Sequence, residues 1–211
     1  MDTTLNSKSI RSLLAVLLLA FSGFALAACG SDDDAEGSDG EEEVEVVIEG
    51  EPVELEPFEY NVLFTRPLNR FDTEDRAYLE GQPAPKPGET YVGVFIKVEN
   101  KDDVPHKVPE SFEMVDTADG RYESIPSDSI YALPLGAELE PGEQFPEIDS
   151  TPDVGPIQAS LLLYLVPDEV LELRPVELEL EGEEERAAVE LDLFTCRSQG
   201  ASSIPDIADA A

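Results

Sequence analysis

The chain is short of basic residues, and this shortage excludes one class of partner. Its 211 residues include 13 Lys and Arg against 48 Asp and Glu, which gives a net charge of −35. Nucleic acids are bound through Lys and Arg that neutralise phosphates, and no cluster of these residues occurs in the sequence. We therefore expect no nucleic-acid partner. The acidity is typical of a solvated exterior, and an anionic membrane surface would repel it.

Histidine is the next shortage, because the chain has a single one, His106. It lies in "NKDDVPHKVPE" between Pro105 and Pro109, where we expect a solvated loop. The sequence has no Ser-His-Asp order, P-loop or dinucleotide fingerprint, and too few His, Cys and Met for a redox copper site. We therefore predict no catalytic residue, no cofactor and no enzymatic activity; a hydrolase with its site in residues 69–88 is the less favoured alternative.

One apolar stretch, residues 13–28, follows Lys8 and Arg11 and has the features of a signal peptide. It is shorter than the roughly 20 apolar residues that span a membrane, and Ser22 and Gly23 interrupt it. An acidic run follows it instead of the basic flank that would stop transfer. Cleavage is therefore expected rather than retention as a membrane helix.

The end of this stretch, "LAAC" at residues 26–29, resembles the lipobox of bacterial lipoproteins. The resemblance implies cleavage between Ala28 and Cys29 and a diacylglyceryl thioether on Cys29. Two acyl chains give stable membrane anchoring, so we expect a lipid-anchored protein on the extracytoplasmic face of the cell membrane. The alternative is ordinary cleavage at the small residues 25–27, without acylation.

Only two cysteines occur, Cys29 and Cys196. If Cys29 is acylated, Cys196 has no partner in the chain; if it is not, the two could form a disulfide in an oxidising compartment. Cys196 has no histidine nearby in the sequence to act as a base. We therefore do not expect it to be a nucleophile.

The sequence divides into four parts: a signal peptide at 1–28, the acylated cysteine with an acidic tether at 29–43, one domain at 44–196 and a tail at 197–211. Residues 30–43 contain only Gly, Ser, Ala, Asp and Glu. Such a segment cannot bury enough apolar surface to fold, so we predict disorder. Fully extended, it would reach about 45 Å. The tail is small and polar, and we predict disorder there too.

The domain has the period-two alternation of β-strands. In "YVGVFIKVEN", Val92, Val94, Ile96 and Val98 share one face, which predicts a half-buried central strand. The same alternation groups three further sets: Tyr60, Val62 and Phe64; Val176, Leu178 and Leu180; and Val189, Leu191 and Leu193. "SLLLYLV" at 160–166 is continuously apolar, which favours a strand covered on both faces.

Turn signals separate these strands. Asp119-Gly120 predicts a hairpin in which Gly accepts a positive φ, joining a strand with Phe112 and Met114 to one with Tyr122. Pro141-Gly142 predicts a second turn, and residues 83–89 form a Pro-rich loop. No helix longer than two turns is expected. The pattern predicts an all-β fold, an antiparallel β-sandwich of about seven to eight strands, more strongly than a barrel.

Four segments, "GETYVGVFIKVENKDD", "FEMVDTADGRYES", "LEPGE" and "LLLYLVPDE", are similar to a known family. It is the immunoglobulin-like domain of unknown function of Gram-positive lipoproteins, which some catalogues label telomeric-repeat-binding-factor-like. The resemblance covers about residues 53–193 and includes a Val-x-Asn element ending at Asn100, the Asp119-Gly120 hairpin and a Leu-x-Pro-Gly turn starting at Leu139. It implies an immunoglobulin-like β-sandwich without catalytic residues. The sequence departs from the family pattern in two ways: the segment at 69–88 is longer than expected, and the chain is far more acidic.

Three loops, at 71–75, 100–103 and 148–153, carry carboxylates that a calcium ion could use. None has the spacing of a calcium-binding loop, so we predict no metal site and keep a calcium-dependent adhesion or sensing module as the alternative. The preferred hypothesis is a membrane-anchored, non-catalytic binding or structural module. Its expected partner is a cell-envelope protein or the cell wall, and we expect a monomer.

Overall fold

The computed structural model describes residues 44–183 and 185–193, and this part of the chain is almost entirely β-structure. The predicted signal peptide, tether and tail, with Ala28, Cys29 and Cys196, lie outside the described residues. The strands of the described part are β1 Glu45–Ile48, β2 Pro52–Leu55, β3 Phe58–Leu68, β4 Glu89–Asn100, β5 His106–Lys107, β6 Glu113–Val115, β7 Arg121–Glu123, β8 Glu138–Leu139, β9 Gln144–Phe145, β10 Ser160–Pro167, β11 Val176–Glu181 and β12 Arg186–Leu191. Its helical segments are α1, Thr151–Val154, and a 3₁₀ turn at Asp168–Glu172.

The strands form two sheets and a small ribbon. Sheet A has the order β1-β12-β11-β6-β7, and sheet B has the order β10-β4-β3-β2, with β9 added beside β4. The ribbon pairs β5 with β8. Every strand pair is antiparallel except β1 with β12, which is parallel. The antiparallel β-sandwich predicted from the sequence is confirmed. The described part has more strands than seven or eight, because several have only two or three residues and leave no readable alternation.

The main core lies between the two sheets and contains the apolar faces that the alternation predicted on β4, β11 and β12. Val176, Leu178 and Leu180 of β11 are buried there, as are Val189 and Leu191 of β12. Strand β10 is covered on both sides, as expected for its continuous apolar run: Leu162 lies in the main core and Leu161 in a second cluster.

The prediction of a half-buried β4 is wrong, because the strand is covered on both faces along its middle. Phe95 points away from the main core and is nevertheless 0% exposed. Residues 69–88 fold back over the outer face of sheet B, where Tyr78 packs edge-on against Phe95 with ring centroids 5.2 Å apart. The outer face of β4 is buried by a loop that is distant from its own alternating pattern, so that pattern did not predict the burial.

The prediction that Phe64 shares a face with Tyr60 and Val62 is also wrong. A register shift in β3 lies between Val62 and Phe64. Phe64 therefore stacks on Phe95 on the outer face, with ring centroids 4.7 Å apart. A bulge inserts one residue and reverses the alternation beyond it.

The β6–β7 hairpin is confirmed, but its turn differs in detail from the prediction. Asp119, not Gly120, has the positive φ, at 62°. Asp116 organises the turn by accepting hydrogen bonds from the backbone N–H groups of Ala118 (2.7 Å) and Gly120 (2.9 Å) and from the Tyr122 hydroxyl (2.9 Å). A larger residue at 120 would displace this carboxylate, since an added Cβ would lie 2.5 Å from Asp116 Oδ2.

Candidate binding cleft

Three turns meet at one end of the sandwich. They are the β2–β3 turn, the chain leaving β4, and the β11–β12 turn. The backbone N–H of Lys101 donates to the carbonyl of Pro57 (3.0 Å), and that of Glu183 donates to the carbonyl of Glu56 (3.0 Å). These two hydrogen bonds connect the three turns directly.

A cleft of about 670 Å³ opens between these turns. Five carboxylates, one ammonium group and three apolar residues line it. The lining residues are Glu54, Leu55, Glu56, Pro57, Phe58, Lys101, Asp102, Glu183 and Glu185. A concave surface with this charge suits a cationic group rather than an anion.

Lys101 is already engaged outside the cleft. Its Nζ lies 3.1 Å from Oε1 of Glu99 and 3.6 Å from Oε2 of Glu59. The hydrogen bond with Glu99 is the main reason that the pKa of Lys101 lies above its ordinary value. The positive charge of Lys101 therefore neutralises carboxylates on the outer face of sheet B. The negative charge of the cleft carboxylates is left largely uncompensated.

Asp102 and His106 form a close pair at the rim of the cleft. Oδ2 of Asp102 lies 2.6 Å from Nε2 of His106. This hydrogen bond is the largest cause of the lowered pKa of Asp102, and a bond from the backbone N–H of Asp103 adds to it. The imidazole also packs edge-on against Phe58, with ring centroids 6.2 Å apart. The expectation that His106 is a solvated loop residue is wrong, since it is half-buried and belongs to strand β5.

The Asp102–His106 pair has two of the three kinds of group in a hydrolytic triad. No Ser, Thr or Cys lines this cleft in the part of the chain that the structure describes. A His–carboxylate pair activates a hydroxyl or thiol only when one lies within hydrogen-bond reach. Among the described residues, the lining of the cleft thus offers this pair no hydroxyl or thiol to activate.

Asn100 builds this rim. Its Nδ2 donates to the carbonyls of Val104 and Leu139, both at 2.9 Å, and its Oδ1 accepts the backbone N–H of Asp102 at 3.0 Å. Its own carbonyl accepts the N–H of Gly142 at 2.9 Å. The side chain and main chain of this one fully buried residue thus join the end of β4, the following loop, strand β8 and the Pro-Gly turn.

The carboxylates of the three candidate calcium loops are largely used by protein groups. Asp75, whose side chain is 3% exposed, forms an ion pair with Arg66 and accepts the N–H of Asn69 at 2.7 Å. Asp102 is bonded to His106, and Asp153 accepts the N–H of Asp149 at 3.0 Å. Over residues 44–183 and 185–193, no group of three or more His, Cys, Asp and Glu side chains has an arrangement that could hold a metal ion.

The predicted lipidation site, Cys29, and the cleavage site between Ala28 and Cys29 lie outside the described residues and stay predictions. Among the residues the structure does describe, no helix is both long and apolar enough to cross a membrane.

Sequence reasoning missed the cleft, although each of its turns was visible. The signals were the Pro57 turn, the end of the Val-x-Asn element and the acidic turn after Glu181. These signals lie far apart in the sequence, and the sandwich topology alone brings them together.

The fold defines the class of protein: an antiparallel β-sandwich. No protein-family model matches the chain, and no curated protein does. Solved structures do. An uncharacterized β-sandwich protein from Clostridium difficile 630 is similar over 74% of this chain and 100% of its own, with 13% identity and a TM-score of 0.46.

Two further structures are similar at the same level. A conserved hypothetical protein from Bacillus anthracis covers 67% of this chain and 94% of its own (16% identity, TM-score 0.44). The yjhA protein from Bacillus subtilis covers 71% and 100% (12% identity, TM-score 0.43). No functional conclusion follows from likeness at this level.

Proposed function

We propose that this chain is an extracytoplasmic lipoprotein, anchored to the cell membrane through an acylated Cys29, whose β-sandwich is a non-catalytic binding or structural module of the cell envelope. The observation that carries the anchor is the position of Cys29, directly after two alanines at the end of the single apolar leader. The resemblance to the immunoglobulin-like domain of Gram-positive lipoproteins supports the same proposal. The acidic residues 30–43 then act as the tether.

The cleft is the contact surface that the geometry favours. Five carboxylates line it, and the one lysine beside them is paired with Glu99 and Glu59. The complementary ligand is a cationic group, such as the ammonium or guanidinium groups of an envelope protein or the amines of a cell-wall polymer. No covalent change to the partner is part of the proposal.

The anchor is tested by the intact mass of the mature full-length protein expressed in a bacterial host, alongside a Cys29→Ser variant. We expect an N-terminus at residue 29, with the mass of a diacylglyceryl group that the variant lacks. An unmodified, soluble product cut nearby would overturn the lipoprotein assignment and restore the possibility of a Cys29–Cys196 disulfide.

The cleft is tested separately by NMR titration of the Cys29→Ser chain with spermine, a linear tetra-amine. We expect shift changes concentrated at the cleft, and about tenfold weaker binding for the Glu54→Gln/Glu56→Gln variant, equivalent to ~1.4 kcal/mol. The exposed pair Glu74→Gln/Glu80→Gln removes the same charge from the loop that joins the far ends of β3 and β4, outside the cleft lining. If both double variants bind spermine equally weakly, the cleft is not a specific site, and spermine binds to the acidic surface in general.

A further inference from the structure

Strand β1 forms one edge of sheet A. It pairs with β12 on one side only, in parallel, with Val46 opposite Ala188 and Ile48 opposite Glu190. Within residues 44–183 and 185–193, no strand pairs with its other side. Val46 and Ile48 are 54% and 57% exposed on the outer face. The edge therefore presents unpaired backbone groups flanked by apolar side chains.

The other sheet edges are protected. Residues 125–133 cover the edge of β10, where the N–H of Ile125 donates to the carbonyl of Leu163 (2.7 Å) and the N–H of Leu133 donates to that of Leu161 (2.9 Å). Strand β2 begins with Pro52, and β7 has only three residues. Edge strands are normally guarded by covering loops, prolines, lysines, bulges or short length.

Strand β1 has neither Pro nor Lys nor a register shift against β12. The carboxylate of Glu49, just beyond its end, is used within the domain, where it accepts the N–H of Asp192 at 3.0 Å. The carbonyl of Ile48 accepts the N–H of Glu51 at 3.2 Å. Over Glu45–Val47 no strand of the described part pairs with this edge, so it is open to main-chain pairing there.

The outer face of sheet A beside this edge is strongly acidic. Glu177 of β11 lies directly opposite Glu190 of β12, and Glu113 of β6 lies opposite Glu123 of β7. Like charges in directly opposite positions destabilise a sheet. Two arginines offset part of this charge: Arg121 contacts Glu113 and Glu179, and Arg186 of β12 lies 3.8 Å from Glu181 of β11. Glu177 and Glu190 have no ion-pair partner in the described part.

We propose that the open edge of β1 and the acidic outer face of sheet A form a docking surface for an extended segment of another protein with Lys or Arg at alternating positions. The segment adds as a further strand, and its backbone pairs with β1. Alternate side chains of a strand share one face. The alkyl stems of the basic residues therefore lie over Val46 and Ile48, and their charged ends reach toward Glu190 and Glu177.

Charge decides between this partner and a second copy of the chain. Pairing two β1 strands would extend one acidic face into another, on chains of net charge −35. A basic segment instead relieves the repulsion between Glu177 and Glu190. The two cases have opposite salt dependence: added salt weakens binding of a basic segment and favours self-association.

The test uses the full-length Cys29→Ser chain and a ten-residue peptide alternating Lys and Thr, with a Lys-Pro peptide of equal charge as the control that cannot form a strand. At low salt we expect the Lys-Thr peptide to bind at least about tenfold more tightly than the Lys-Pro peptide. We also expect slowed amide hydrogen exchange in β1.

Matched protein variants locate the site. Ile48→Lys places a guarding charge on the edge, and Ile130→Lys adds the same charge at a residue 63% exposed on a different loop. We expect about tenfold weaker Lys-Thr binding for Ile48→Lys and less than about twofold for Ile130→Lys. Thermal melting of both variants checks that they are folded.

The proposal would be overturned if the two peptides bound equally tightly, or if the two lysine variants weakened Lys-Thr binding equally. Self-association that increases with salt would also overturn it, and would indicate that a second copy of the chain binds to β1. The Glu54→Gln/Glu56→Gln variant should bind the Lys-Thr peptide as the parent chain does. A loss there would assign the peptide to the cleft. The anchor on Cys29 plays no part in this binding, so a failure here leaves the lipoprotein proposal standing.

Discussion

The side-chain amide of Asn100 donates a hydrogen bond of 2.9 Å to the main-chain carbonyl of Leu139, 39 residues away. The two residues belong to the Val-x-Asn and Leu-x-Pro-Gly elements singled out in the sequence. This hydrogen bond links the two elements, and together they fix the position of the rim of the cleft.

Replacing Asn100 should therefore destabilise the domain strongly. Asn100→Ala removes three side-chain hydrogen bonds and leaves the buried carbonyl of Leu139 without this donor. We therefore expect a loss of about 2–4 kcal/mol in the free energy of unfolding, measured in urea. Asn69→Ala is the control, because the Asn69 side chain accepts a single exposed hydrogen bond, from the N–H of Phe71. Similar losses in the two variants would contradict this role for Asn100.

The ion pair of Arg66 and Asp75 should stabilise the loop that covers sheet B. Asp75→Ala leaves Arg66 without its partner and the N–H of Asn69 without its acceptor. Breaking a buried pair costs about 3–5 kcal/mol, and we expect the lower end here because Arg66 is partly exposed.

Hydrogen exchange should locate this loss in residues 69–82, ahead of global unfolding. Asp72→Ala in the same loop, where Asp72 accepts only an exposed N–H from Glu74, should have little effect. An unchanged exchange rate in Asp75→Ala would show that the aromatic contacts hold the loop without the ion pair.

Stability in acid should depend on Asp116. Burial acts to raise the pKa of its carboxyl, but the hydrogen bonds from Gly120, Ala118 and Tyr122 outweigh it, so the pKa lies below its ordinary value. A carboxyl with a lowered pKa in the folded state contributes stability above its unfolded pKa, and this is lost as pH falls through the folded pKa.

We therefore expect Asp116→Asn to be less stable than the parent chain near pH 6, with the difference shrinking as pH falls below about 4. Urea unfolding across this pH range measures it. Glu140→Gln, at an exposed turn residue, is the control. A difference that stayed constant with pH would mean that the charge of Asp116 is not involved.

Repulsion on the outer face of sheet A should make stability salt-dependent. Glu177 and Glu190 lie directly opposite each other, and salt screens such exposed repulsion. We expect the melting temperature to rise between 10 mM and 500 mM NaCl, and Glu177→Gln to raise it at low salt by an amount equivalent to about 0.2–1 kcal/mol.

A lower melting temperature for Glu177→Gln at 10 mM NaCl would contradict this account. Glu113→Gln is the informative contrast, because Glu113 is bonded to Arg121 and its loss removes an attraction. We therefore expect no rise in melting temperature for Glu113→Gln at 10 mM NaCl.

The sequence by itself determined the class of fold and most of the main core. Period-two patterns identified the inward faces of β4, β11 and β12, and the turn residues identified the β6–β7 hairpin, because alternation and turn chemistry are local properties of the chain. The acidity and the position of Cys29 supplied the hypotheses on partners and anchoring, and these remain proposals.

Only the tertiary structure decided where distant segments meet. The burial of Phe95 depends on residues 69–88 folding back over it, and a bulge at one position moved Phe64 to the other face. The cleft, the Asp102–His106 pair and the open edge of β1 arise from strand order and from contacts between turns. Such contacts are set by packing across the whole sandwich, which no local pattern records.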